Sequence, residues 1–133
     1  MAAVCVEGSL KRTHYCVLPF QVTCSAALGE GAGSTGQTFD RTTTEAVTDF
    51  NLTNVTASSA KTFTIKIVQN STTAYGVGID TFRLNGGSTF SANWPGGSVP
   101  VVTQATGATD IYSFMTFDGG TTLYGVVGGQ NFS

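Results

Sequence analysis

The chain has 133 residues, a formal net charge of −2, and only 11% charged residues beside 41% hydrophobic ones. Ordinary soluble domains carry about 25% charged residues, so this composition favours a surface that is largely buried in an assembly. No Lys/Arg cluster exceeds Lys11-Arg12, which argues against direct binding of nucleic acid. No apolar run approaches the roughly 20 residues that a membrane-spanning helix needs. The length suits one domain with its own core.

The N-terminal part predicts an extended arm. Every second residue of one stretch is apolar or a cysteine: Cys16, Leu18, Phe20, Val22 and Cys24. This alternation is typical of a strand over residues 15–24. Pro19 lacks a backbone donor, so we expect a strand that is at an edge, bulged or paired on one side only; as an edge strand it could pair with a neighbouring subunit. The glycine-rich stretch 29–37 predicts a loop, and we therefore expect an arm over residues 1–37 and a sandwich domain over residues 38–133.

Few residues suggest catalysis or metal binding. Cys5, Cys16 and Cys24 are odd in number, which favours reduced thiols, with a Cys16–Cys24 disulfide as the alternative. His14 is the only histidine, and no close C-x(2–4)-C pair accompanies it, so we expect no metal site. Asp110 and Asp118 bracket a predicted strand, where turn formation is the simpler role. The sequence therefore predicts a protein that is not an enzyme and has no cofactor.

The middle of the chain is a series of short strands. Residues 38–45 are polar and could cap one helical turn, and strands are expected near 46–55, 76–84, 88–92 and 99–104. The clearest alternation places three residues on one face: Phe63, Ile65 and Ile67. Seven or eight short strands without a convincing helix predict an all-β, antiparallel sandwich of jelly-roll type.

A hairpin of strands 109–117 and 121–128 is predicted near the end of the chain. Its first strand is apolar on both faces, with Ile111, Met115 and Phe117 on one face and Tyr112 and Phe114 on the other. Such a strand is covered on both sides, by the other sheet of a sandwich or by a neighbouring subunit. The turn sequence D-G-G tolerates the positive φ angles that a tight reversal needs.

The same region carries a family resemblance. It has the pattern W-P-G-G-x-x-P from Trp94 to Pro100, followed by T-D-x-x-x-F-x-T-x-D-G-G-T-T-x-Y-G from Thr109 to Gly125. This segment resembles a C-terminal segment of tail-fibre, baseplate and other virion structural proteins of tailed bacteriophages, especially marine and cyanobacterial ones. The resemblance implies a tail-associated structural protein located in the virion. We expect it to associate with itself, as a homotrimer, and with other virion proteins.

The expected interface combines the N-terminal strand, residues 15–24, with the apolar parts of the hairpin, residues 111–117 and 123–127. The residues singled out in these ranges are Cys16, Leu18, Phe20, Val22, Ile111, Tyr112, Phe114, Met115, Phe117, Leu123 and Tyr124. Two alternatives stay open. A short stand-alone chain also suits a capsid decoration protein. A carbohydrate-binding module would instead hold host-surface polysaccharide on an aromatic platform of Trp94, Tyr112 and Tyr124.

Overall fold

A computed structural model describes residues 38–133 and the strand backbones at 4–7, 14–17, 21–24 and 33–35; in those four strands it describes one side chain, that of Val22. The strands are β1 (Val4–Glu7), β2 (His14–Val17), β3 (Gln21–Cys24), β4 (Gly33–Thr35), β5 (Thr38–Thr42), β6 (Phe50–Thr53), β7 (Lys61–Val68), β8 (Thr81–Leu84), β9 (Thr89–Ser91), β10 (Thr109–Thr116) and β11 (Tyr124–Phe132). A 3-10 turn covers Pro95–Gly97. No helix in these ranges has the length and apolar character needed to cross a membrane.

Two sheets form the sandwich, and β1 and β2 make a separate pair. The four-stranded sheet has the order β11-β10-β7-β5, and the five-stranded sheet has the order β4-β3-β6-β8-β9. From β5 to β8 the chain alternates between the two sheets. A strand that returns to the same sheet after one intervening strand runs in its original direction, so the pairs β5–β7 and β6–β8 are parallel.

Aromatic rings fill the space between the sheets. Phe63 and Phe114, from the four-stranded sheet, stack with centroids 5.3 Å apart. The ring of Phe82, from the five-stranded sheet, meets Phe114 edge-on at 4.9 Å and lies 5.8 Å from Phe50. These four residues are at most 1% exposed. Contacts of this kind each contribute about 0.5–1.5 kcal/mol beyond the burial of apolar area.

The predicted all-β sandwich is confirmed, with seven strands between residues 38 and 133. The pairing differs in detail, because the sheets are mixed and not purely antiparallel. The stretch 38–45 contains β5, not a helical turn, and its inward residues are Phe39 and Arg41. Because one of its two inward residues is Arg41, β5 lacks the apolar alternation that predicts a strand. Residues 99–104 form no strand; they are held by side chains, as described below.

The predicted single edge strand over residues 15–24 is wrong. The structure has β2 and β3 there, in different sheets, and β3 pairs with β4 on one side and β6 on the other. β3 therefore offers no free edge, whereas β2 pairs with β1 alone among the described strands. Pro19 lies outside the described residues, as do Leu18 and Phe20. The division of the chain at residue 37 stays a prediction, although β3 and β4 belong to the same sheet as β6.

Candidate assembly surface

Among residues 38–133, the exposed large apolar side chains are concentrated in the last third of the chain. They are Val99, Val101, Phe117, Tyr124, Val126, Val127 and Phe132. Four lie on β11, one at the tip of the β10–β11 hairpin, and two on the 99–101 segment. That segment is joined to β11 because the side-chain Nε2 of Gln130 donates to the carbonyl of Val101 at 2.7 Å. We call these seven residues the apolar side. Exposed large apolar side chains that are concentrated in this way are typical of an interaction surface.

Charged residues are concentrated elsewhere. Between residues 38 and 83 the charged residues are Asp40, Arg41, Glu45, Asp49, Lys61, Lys66, Asp80 and Arg83. Between residues 84 and 133 there are only Asp110 and Asp118, and Asp110 is 1% exposed. The part of the chain that carries the apolar side therefore contributes almost no charge, which favours burial against another molecule.

The outer face of the four-stranded sheet shows the same division. In the register of β10 and β11, Met115 lies opposite Tyr124, and Ser113 lies opposite Val126. Tyr124 and Val126 are exposed, and Met115 is half-buried. At the other side of this face, Lys66 of β7 forms an ion pair with Asp40 of β5, with 2.6 Å between Nζ and Oδ2. One half of the face is thus apolar and the other half is charged.

A groove of about 300 Å3 opens beside the apolar half. It is lined by Asn93, Trp94, Pro95, Met115, Tyr124, Gly125 and Val126, and we call it the Trp94 groove. Its floor is fixed, because the indole Nε1 of Trp94 donates to Oδ1 of Asp80 at 2.7 Å. Asn93 joins the groove to β11: its amide donates to the carbonyl of Leu123 at 2.8 Å, and its carbonyl accepts the amide of Gly125 at 2.9 Å.

The hairpin tip beside the groove is built as a rigid turn. Oδ1 of Asp118 accepts the hydroxyl of Thr116 and the amide of Thr122, both at 2.9 Å. Hydrogen bonds from Thr122 are the main reason why the pKa of Asp118 lies well below its usual value. Gly119 and Gly120 adopt φ angles of 79° and 89°, which the predicted D-G-G turn anticipates. The turn presents Phe117, which is 65% exposed, with its ring centroid 6.2 Å from that of Tyr124.

A buried polar network holds the end of β11 in place. Oδ2 of Asp110 accepts the amide of Thr103 at 2.7 Å and the hydroxyl of Tyr112 at 2.8 Å, and Oδ1 accepts the amide of Asn131 at 2.8 Å. Nε2 of Gln130 donates to the Tyr112 hydroxyl at 2.7 Å. Burial alone would raise the pKa of Asp110, but the hydrogen bonds from Thr103 and Asn131 outweigh it and the pKa is lowered. Both aspartates are thus occupied by structural hydrogen bonds.

A second groove, of about 380 Å3, runs between residues 76–80 and residues 99–104. Exposed Val99 and Val101 line it, so it is continuous with the apolar side. The side chain of Gln69 supports it from inside, since its Nε2 donates to the carbonyls of Tyr75 and Thr103, each at 2.9 Å.

Two nitrogens of one buried cation have no hydrogen-bond partner in the part of the chain that the structure describes. Arg41 is 6% exposed, and its Nε and Nη2 atoms find no hydrogen-bond partner within the described ranges. Its neighbour across the sheet is the apolar Ile67. A buried guanidinium without a partner is energetically unfavourable.

The structure divides the predicted interface into two sets. Four of its residues face the core of their own chain and are at most 5% exposed: Val22, Tyr112, Phe114 and Leu123. They are not available to a partner, so the predicted interface is wrong at these four positions. Ile111 and Met115 are half-buried on the outer face, and Phe117 and Tyr124 are exposed. The backbone of Cys16 lies in β2, but its side chain is outside the described residues, as are Leu18, Phe20 and the side chains of Cys5, Cys24 and His14.

The predicted aromatic platform for a sugar is also corrected. Trp94 and Tyr124 line the same groove, but Tyr112 is 0% exposed and its hydroxyl is bonded to Asp110. Trp94 itself is 7% exposed, and it meets Phe114 edge-on at 5.5 Å. A stacking platform needs open ring faces, and here only Tyr124 offers one. In residues 38–133 no three His, Cys, Asp or Glu side chains are grouped as a metal site would require.

Part of the apolar side was not predicted from the sequence. Val99, Val101 and Phe132 were not expected at the interface, although they are strongly exposed. The sequence did hold a signal, since residues 84–109 contain no charged residue and Asp118 is the last one in the chain. No protein-family model, curated protein or solved structure matches the chain.

Proposed function

We propose that this protein is a structural component of a tailed-bacteriophage virion, associated with the tail, and that the apolar side is where it associates with itself and with other virion proteins. The observation that carries the proposal is that seven exposed large apolar residues lie in a part of the chain that has almost no charged residues. The resemblance of residues 94–125 to virion structural proteins supports the placement. No arrangement of described residues suggests chemistry that would compete with this role.

The size of the apolar side suits a moderately stable contact. Burying the exposed parts of its side chains removes on the order of 600 Å2 per copy from water, close to the roughly 800 Å2 per partner of a standard interface. At about 25 cal/mol per Å2 this is a large favourable term, but much of it is offset by the entropy lost on association. We therefore expect assembly to depend on protein concentration or on the symmetry of a particle.

The geometry of β11 favours packing of the outer face over addition of a strand at its edge. β11 is an edge strand of the four-stranded sheet, but its pairing with β10 shifts register between Thr109 and Ile111 and again between Ile111 and Tyr112. Such bulges twist an edge away from regular pairing. The first residues of β11 are also covered by Asn93. The outer face and the hairpin tip remain open.

Two placements in the particle are compatible with this surface. The sequence resemblance favours the tail, and a capsid decoration protein is the alternative. Purified particles should contain the chain by mass spectrometry, and a gold-labelled antibody against it should mark the tail. Label over the head would instead indicate a capsid decoration protein. Particles without the chain would overturn the proposal.

A matched pair of variants tests whether the apolar side drives assembly. Val126→Lys places a charge on the apolar half of the outer face and should prevent incorporation into particles. Thr38→Lys places the same charge on exposed β5, at the charged half of that face, and should leave incorporation unchanged. Equal incorporation of both variants would show that assembly uses another surface.

The carbohydrate-binding alternative retains one supporting observation, the shared lining of the Trp94 groove by Trp94 and Tyr124. Trp94 is part of the core, so Tyr124→Ala is the informative substitution. Binding of the wild-type protein to a glycan array, lost in Tyr124→Ala at unchanged stability, would favour this function over assembly.

A further inference from the structure

We propose that Phe117 of one copy occupies the Trp94 groove of a second copy, and that the second copy's Phe117 occupies the groove of the first. The inference rests on the proposed self-association and specifies its contact. It assigns a protruding side chain and a receiving groove to the same surface of the molecule.

The position of Phe117 beside the groove determines the symmetry. Its ring lies 6.2 Å from that of Tyr124, which lines the groove. Because the protruding ring and the groove belong to one patch, a twofold axis brings each ring to the other copy's groove. A threefold ring would need the two features on different sides of the molecule. The contact therefore predicts a dimeric unit, in place of the homotrimer expected from the sequence.

The groove has the size and chemistry to take a phenyl ring. Its volume is about 300 Å3, and an apolar protein cavity of about 150 Å3 is already large enough to bind benzene. Pro95, Met115 and Val126 offer apolar walls, and Tyr124 offers an open aromatic ring. Aromatic rings meeting edge-on or offset add to the energy of burial, and Met sulfur also contacts rings favourably.

Both partners of the contact are fixed before they meet. The Trp94 side chain is held by Asp80, and Phe117 directly precedes the turn that Asp118 stabilises through Thr116 and Thr122. A preorganised contact loses little conformational entropy on binding. The groove itself is lined by no charged residue, so two identical copies can approach without repulsion at its walls.

Two variants that introduce opposite charges test the reciprocal contact. Phe117→Lys removes the ring, and Met115→Glu places a carboxylate in the groove. Each variant alone should be monomeric in sedimentation velocity, with the dissociation constant raised at least about 30-fold. Mixed together they should form a heterodimer, because one contact then pairs Lys with Glu and the other pairs the native Phe117 with the native groove.

Controls separate this contact from the general effect of an added charge or from loss of folding. Thr38→Lys adds the same charge as Phe117→Lys on exposed β5, outside the apolar side, and should leave the dimer intact. Phe117→Ser tests the contact without adding charge. Circular dichroism of each variant establishes that it is folded.

Each outcome decides a different point. A wild-type protein that stays monomeric at high concentration and in particles contradicts the proposed self-association itself. A wild-type oligomer that persists in Phe117→Lys and Phe117→Ser overturns the contact but leaves self-association standing. Loss of association in the single variants without recovery on mixing, or a wild-type trimer, overturns the twofold arrangement.

Discussion

Gly125 of β11 lies directly against the indole ring of Trp94: a Cβ built on Gly125 would lie 2.7 Å from both Cη2 and Cζ3 of Trp94. The same Cβ would lie 3.0 Å from Cε1 of Phe114. Only a residue without a side chain lets β11 approach the ring this closely. This contact joins the core of the sandwich to the floor of the groove.

Gly125→Ala should therefore destabilise the fold. The added methyl group forces Trp94 or β11 to move, and overpacking of this kind costs about 1–3 kcal/mol. Urea unfolding measures the change. Gly76→Ala is the matched control, since a Cβ at Gly76 meets nothing within 4 Å, and its free energy of unfolding should stay close to that of the wild type. Equal stability of the two variants would contradict the close packing.

Asp110→Asn should lower the free energy of unfolding by about 2–3 kcal/mol, because hydrogen bonds to a buried charged group are lost or mismatched. The carboxylate accepts bonds from Thr103, Tyr112 and Asn131, and the amide group of asparagine cannot replace all three. Equilibrium unfolding at neutral pH measures the effect. A change below about 0.5 kcal/mol would show that the network contributes little.

The same network predicts a dependence on pH. The pKa of Asp110 in the folded chain lies below its ordinary value of 3.8. Its contribution to stability is therefore complete above that value and is lost as the pH falls through the folded pKa. Asp118, whose pKa is also lowered, acts in the same direction. Stability should fall below about pH 4 in the wild type and less steeply in Asp110→Asn; parallel curves for the two proteins would contradict this assignment.

Arg41→Met should keep or raise stability, by up to about 2 kcal/mol. The substitution removes a buried charge whose Nε and Nη2 have no partner in the described ranges and leaves an apolar chain of similar length beside Ile67. Thermal unfolding provides the measurement, with Lys66→Met on the exposed side of β7 as the control for loss of a positive charge. A loss of more than 1 kcal/mol in Arg41→Met would reveal an anionic partner for the guanidinium.

Gln69→Leu should destabilise the chain by about 2–4 kcal/mol, because four hydrogen-bonding groups lose a partner inside the protein. Oε1 of Gln69 accepts the hydroxyl of Thr43 and the amide of Tyr75, and Nε2 donates to two carbonyls. Urea unfolding tests this expectation. Wild-type stability would mean that water replaces the side chain without cost.

The parts of the fold with alternating apolar residues could be predicted, and the others could not. β7 and the β10–β11 hairpin follow from their patterns, and the D-G-G turn follows from its glycines. β5 could not be found because its second inward residue is Arg41. The 99–104 segment has the residue alternation of a strand. Its backbone is hydrogen-bonded to the carboxylate of Asp110 and to the side chain of Gln69, and not to a neighbouring strand.

The candidate surface was predicted only in part. Because Ile111 to Phe117 has apolar residues on both faces, the sequence predicted that both faces would be covered. It did not predict which face packs in the core. Burial of Phe63 and Phe82 against Phe114 decides this, since it turns Tyr112 and Phe114 inward and leaves Met115 outward. The packing of one sheet against the other brings such residues together, and the spacing of residues in the sequence does not predict that packing.

A cryo-EM map of the intact particle at side-chain resolution would show which surface of this chain is buried in the virion. We expect the chain in the virion with Phe117, Tyr124 and Val126 buried against a neighbouring molecule, and with the Lys66–Asp40 pair facing solvent. A map in which the apolar side faces solvent while the charged half is buried, or in which the chain does not occur, would contradict it.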